Sequence, residues 1–212
     1  MKFLLHIAFL IASTAAVAER PMNELPMYGG RHTPEIESNE ITSKQVERLG
    51  WRYYNQGDLD TAIKRFNQSW MFDRNNAGAY FGFGLIMGQR AIRGEGDTRV
   101  NLKESIRFLE MANGFDPKNS KIINELASAH GMFAGYLISN EENGLIEYSI
   151  ADALFGQAYE LDPKFPQTPE NWSVIKFYLG DFNEAKRLLN LAVGLGIVPN
   201  PAYAKMLAEK MQ

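Results

Sequence analysis

The sequence contains no cysteine. That absence excludes a disulfide, a thiol nucleophile, a thiolate metal ligand and a lipid attached to cysteine. Histidine is scarce, at three residues, His6, His32 and His130. Basic charge does not dominate either: 22 Lys and Arg stand against 25 Asp and Glu, a formal charge of −3. Nucleic acid wants a concentrated basic field, so it is not expected as a partner. Beyond the first residues no uncharged run reaches the roughly 20 apolar residues that a bilayer span requires.

What is present begins with a targeting pattern. Lys2 supplies a small basic region, residues 3–12 are apolar except for His6, and residues 13–18 turn small before Glu19 and Arg20. Basic, apolar and small residues in that order read as a cleaved signal peptide, residues 1–18, with cleavage after Ala18. An apolar run of about ten residues is too short for a membrane anchor, so no membrane insertion is expected after cleavage. Removing residues 1–18 takes away one Lys and no acid, which moves the formal charge from −3 to about −4. Export without cysteine suits a bacterial periplasm better than an animal extracellular space, where small domains usually carry disulfides. The expected location is therefore periplasmic or secreted.

Residues 19–40 hold Pro21, Pro26, Pro34, Gly29 and Gly30 with no regular period, which predicts an extended arm. Its Met22, Leu25, Met27 and Tyr28 argue that part of it docks on the domain. From about Thr42, apolar residues recur at three- and four-residue spacings: Val46, Leu49 and Tyr53, then Leu59, Ala62, Ile63, Phe66 and Trp70 after a turn at Gly57–Asp58. Two short amphipathic helices joined by a tight turn cannot each bury a face alone, so they must pair and stack.

This unit recurs. Leu49, Gly50, Tyr53, Gly57, Ala62 and Phe66 in one unit are echoed by Gly180, Ala185, Leu189 and Ala192 in another. Its turn, residues 180–185, closely repeats residues 57–62. The pattern resembles the tetratricopeptide repeat family. The resemblance covers about residues 41–212 and implies an all-α fold: an α-solenoid of about four antiparallel helix pairs with a C-terminal capping helix. The expected units are about 43–76, 77–119, 120–165 and 166–199, with the cap at 200–212. Units two and three are stretched, by about nine residues around Gly94–Asp97 and about a dozen around Asn140–Gly144. Asp116–Pro117 and Asp162–Pro163 stand where such units end. Small residues, Gly50, Gly84, Ala112, Ala127, Ala151 and Ala158 among them, are expected where helix backbones approach closely.

In this family the concave face is made mainly by the first helix of each pair. Carried over in register, Lys44, Glu47, Trp51 and Tyr54 should face inward, with Phe81, Leu85, Gly88 and Gln89, and with Lys121, Asn124, Ser128 and Gly131. Two readings of Trp51, Tyr54 and Phe81 are open. They form an exposed aromatic patch that binds, or they are core beneath the arm and the linkers. Some repeats of this type clamp a terminal carboxylate with Lys and Asn; here the matching places carry Glu47, Trp51 and Gly82, and only Lys121 fits, so that clamp is not expected.

The polar inventory argues against an enzyme and points to no cofactor. His130 falls at a normally buried place and reads as a satisfied core histidine. His32 near Glu35 and Glu37 is too loosely grouped for a metal, and Gly94–Glu95–Gly96 lacks the Lys and Ser or Thr of a phosphate cradle. The implied function is an exported adaptor or scaffold whose partner is another protein or a peptide segment. The competing functions are an immunity protein that neutralises a secreted toxin, and an envelope enzyme or glycan-binding module.

Overall fold

A computed structural model describes residues 20–31 and 33–212; the signal pattern and His32 lie outside the described residues. Among those residues there are nine α-helices and no strand. They are α1 (Glu40–Asn55), α2 (Leu59–Phe72), α3 (Ala77–Ile92), α4 (Thr98–Phe115), α5 (Ser120–Ser139), α6 (Leu145–Leu161), α7 (Gln167–Tyr178), α8 (Phe182–Gly194) and α9 (Pro201–Lys210). Each odd-numbered helix through α7 packs most heavily on the helix that follows it. The pairs α1–α2, α3–α4, α5–α6 and α7–α8 then stack in order, and α9 closes the end against α8.

The turns explain why the helices stop where they do. Gly57 (φ 79°) and Gly180 (φ 83°) take the left-handed conformation that only glycine adopts without strain. The Asp that follows each glycine caps the next helix: Asp58 accepts from the Thr61 N–H at 3.0 Å, and Asp181 from the Glu184 N–H at 3.1 Å. Gly96 and Asp97 repeat the device before α4, where Asp97 accepts from the Val100 N–H at 2.9 Å.

Two boundaries differ from the sequence expectation. The first helix starts at Glu40 rather than at Thr42–Ser43, because Asn39 is the cap and accepts from the Thr42 N–H at 2.8 Å. Ser43 is instead fully buried and exchanges hydrogen bonds with Ser69 of α2, its Oγ donating to the Ser69 carbonyl at 2.9 Å. The insertions in units two and three are also not mainly loop. Helices α3 and α5 continue to Ile92 and Ser139, leaving only residues 93–97 and 140–144 outside helix. A helical extension satisfies its own backbone hydrogen bonds, whereas a long buried loop would not. The extra turns of α5 also bury Phe133, with Met132, Tyr136 and Leu137 packed around it against α4.

The core runs the length of the stack. It passes from Phe66, Trp70, Phe83 and Phe108 through Leu109, Leu126 and Ala129 to Ala151, Phe155 and Ile175, and ends at Ala185, Leu189 and Leu207. Along it α1 touches α3, α3 touches α5 and α5 touches α7, while successive even-numbered helices make at most slight contact. The odd helices therefore approach one another more closely than the even ones do, which places them on the inner side of the stack.

The N-terminal arm forms two short 3-10 turns, Met22–Glu24 and Pro26–Gly30, and docks along α2. Arg20 pairs with Asp60 at 3.0 Å and with Glu95 at 2.6 Å. The buried Asn67 amide donates to the carbonyls of Asn23 at 3.1 Å and Leu25 at 2.8 Å. Arg90, 2% exposed, donates to the Glu24 carbonyl and to Asp60, each at 3.0 Å. Met27 and Tyr28 then pack on the core, and Arg74 donates to Thr33 at 2.9 Å. These attachments hold the arm on α2 and at the far end of α3.

Candidate functional site

The candidate site is the inner face made by α1, α3 and α5. Trp51 and Tyr54 lie one turn apart on α1, and Phe81 enters from the first half of α3. Their rings meet edge to face or tilted: Trp51 lies 5.8 Å from Tyr54, 5.3 Å from Phe81 and 4.9 Å from the buried Phe66. All three surface rings are half-buried, with one side on the core and one side open. They are thus both the edge of the core and part of the surface.

Glu47 orients this cluster. Its carboxylate accepts from the Trp51 indole N–H at 3.1 Å and from Lys44 Nζ at 2.8 Å, and Lys44 also donates to Asn76 at 3.1 Å. The carboxylate rests against Gly78 in the first turn of α3, where any side chain would collide with it. The first amides of α3 are capped by Asn76, and the positive end of the helix dipole favours an anion there. Lys44 and Glu47 therefore sit on the inner face, each already satisfied by its neighbours.

Further along, Leu85, Gly88 and Gln89 of α3 face Tyr54 across a depression that is open to solvent and also lined by Glu125 and Met132 of α5. Gln89 lies beside Tyr54 in this lining, and the Tyr54 phenol is pushed above its ordinary value first by burial and then by the nearby charge of Glu125. Burial likewise raises the Glu125 carboxyl, offset only by its hydrogen bond from Asn124.

The residues expected from unit three divide. Lys121 is exposed, with its ammonium 5.8 Å from the Phe165 ring. Ser128 is half-buried; it donates to the Asn124 carbonyl at 2.9 Å and accepts from Asn171 of α7 at 3.4 Å. Asn124 departs from the expectation. It is fully buried, accepting from Thr168 of α7 at 3.1 Å and donating to Glu125 at 3.2 Å, so it joins α5 to α7 and offers nothing to a ligand. Gly131 is likewise turned to α7, with Ile175 against it. Register assigned Asn124 inward but skipped Glu125, one position on. The available signal was that Glu125 is the one acidic residue of α5.

His130 is buried and its Nδ1 lies 2.6 Å from Glu147 of α6, a satisfied core histidine that joins the two helices of unit three. Among the described residues no three His, Asp or Glu side chains gather as a metal site would require. No helix among them is long and apolar enough to cross a membrane.

No family model matches the sequence, and no curated protein matches it. The fold is similar to solved structures. PilF from Pseudomonas aeruginosa superposes with a TM-score of 0.60 at 16% identity, over 81% of this chain and 68% of that one. MamA superposes with a TM-score of 0.54 at 16% identity, over 72% of this chain and 77% of that one. A further MamA structure gives 0.55 at 15% identity, over 75% and 79%. With four antiparallel helix pairs, glycine–aspartate turns and small residues where helices cross, the chain has the tetratricopeptide-repeat fold.

Proposed function

We propose that this chain is an exported adaptor or scaffold that holds a segment of another polypeptide along the concave face of α1, α3 and α5. The observation that supports this most is the placement of Trp51, Tyr54 and Phe81. They form contiguous aromatic surface on the inside of the curve, while the attachments of the arm lie along α2 and at Arg90. Aromatic side chains fixed by neighbours give large contact area at low entropic cost, which is why they dominate binding energetics. The export half of the proposal rests on the pattern of residues 1–18. Mass spectrometry of the protein recovered from a periplasmic fraction should find an N-terminus at Glu19, and recovery only from the cytosol with Met1 intact would remove it.

Affinity capture from periplasmic extract tests the binding half. The wild-type chain should retain one envelope protein in stoichiometric amount. Trp51→Ala and Phe81→Ala should each weaken retention by about tenfold or more, as central aromatic anchors do. Unchanged affinity in both variants, with the fold intact by circular dichroism, would show that the inner face is not the binding surface.

A further inference from the structure

The depression between α1, α3 and α5 has a chemistry of its own. Leu85 and Met132 form aliphatic walls, Gly88 leaves room between them, and Tyr54 and Gln89 close one side. On the α5 side stands Glu125. Its one hydrogen bond comes from the Asn124 amide at 3.2 Å, which leaves most of a carboxylate's acceptor sites unused. Among the described residues no cation pairs with it. The contrast with Glu47 on the same face is plain, since that carboxylate already takes both Lys44 and Trp51. Burial without a compensating charge is costly for a carboxylate and is relieved by a cation brought to it. The raised titration of Glu125 has that same cause.

Aliphatic walls ending in an unpaired carboxylate are the complement of a side chain with an aliphatic stem and a cationic tip. A carboxylate end or an acidic side chain would meet repulsion there. We propose that this depression seats a Lys or Arg side chain of the bound segment. Its stem lies between Leu85 and Met132 and its charge rests on Glu125, next to the aromatic surface of Trp51, Tyr54 and Phe81. This deepens the peptide-groove reading and rests on it.

A library of random short peptides displayed on phage, selected against the processed full chain, tests it. Binders should be enriched in a Lys or Arg flanked by apolar or aromatic residues. In synthetic copies of the best binder, replacing that Lys or Arg with norleucine should weaken binding to the wild-type chain by about tenfold, the effect of losing one charge-assisted contact. Against Glu125→Gln the same replacement should change affinity by less than about twofold. This variant keeps the side chain's size and removes a buried charge, so its folding is expected to survive; circular dichroism checks that. Binders that need Trp51 but show no basic preference, or a basic preference that Glu125→Gln leaves intact, overturn the cation pocket and leave the groove standing. Selection of no binder, or of binders indifferent to Trp51→Ala, overturns both.

Discussion

Phe66 is held between two glycines. A Cβ built on Gly50 would lie 2.7 Å from its ring, and one on Gly82 would fall inside the ring's contact surface from the other side. The ring is fully buried and cannot move aside. Gly82→Ala should therefore destabilise the chain despite alanine's better helix propensity, by about 1–3 kcal/mol for overpacking, seen as a drop in Tm. Gly114, on the exposed side of α4, has nothing within reach of a Cβ. There Gly114→Ala should raise stability by up to about 1 kcal/mol. The opposite signs of two identical substitutions, read by thermal unfolding, check the packing.

Glu125 gives a second prediction at this scale. Its carboxyl is raised by burial, so the folded chain binds that proton more tightly than the unfolded chain does. The stability it contributes is present in full below the unfolded glutamate's titration and is lost as the pH rises through the raised folded value. Glu125→Gln removes that loss. It should raise Tm at neutral pH, and the gain should vanish on acidification to about pH 4, where the unfolded carboxyl itself takes up its proton. A gain that persists unchanged in acid would show that the charge is not what Gln relieves.

At the scale of elements, the arm is fastened by a few buried polar groups. The Asn67 amide and the Arg90 guanidinium each bond arm carbonyls, and Lys64 pairs with Glu24 at 3.0 Å. Burial pulls the Arg90 guanidinium below its ordinary value and the neighbouring positive charge of Arg20 adds to this, while Asp60 and Glu95 oppose it. Arg90→Ala should cost about 1.5–3 kcal/mol, the usual worth of hydrogen bonds from a charged donor. Its effect should concentrate in the arm: amide exchange across residues 21–31 should accelerate well before that of α5 to α8. Uniform acceleration along the chain would mean that the arm and the stack open together. The left-handed backbone of Met27 (φ 50°) and Tyr28 (φ 54°) is uncommon for such residues. It persists because both side chains are anchored on the core below.

For the whole molecule, the stack is quasi-linear, and each pair is stabilised chiefly by its neighbours. The capping helix α9 contributes Leu207, 1% exposed, to a small cluster with Ala185 and Leu189, while Tyr203 shares a 2.6 Å hydrogen bond with Ser173 of α7. Leu207→Ala should cost about 2–5 kcal/mol, as core leucine truncations do. In a one-dimensional stack that loss should appear first as faster amide exchange in α7 and α8, with α1 to α4 protected. Simultaneous loss of protection from α1 to α9 would show instead that the stack folds as one cooperative unit.

Much of this was legible along the chain because it is local. Apolar spacing set the helices, Gly57–Asp58 and Gly180–Asp181 set two of the turns, and Asp116–Pro117 and Asp162–Pro163 marked where units end. Small residues at Gly50, Ala62 and Ala185 announced close helix crossings: a Cβ on Gly50 would meet the Phe66 ring, and both alanines are fully buried. The sequence by itself therefore determined an all-α solenoid and which helices pair. Only the tertiary structure decided which side chains share the inner face. It turned Asn124 and Gly131 to α7, left Glu125 facing Tyr54 and Gln89, and laid the arm along α2. The reason is geometric: a difference of one position turns a helical side chain by about 100°, from 3.6 residues per turn. The surface it then meets belongs to a helix far away in sequence, whose position the curvature of the whole stack sets.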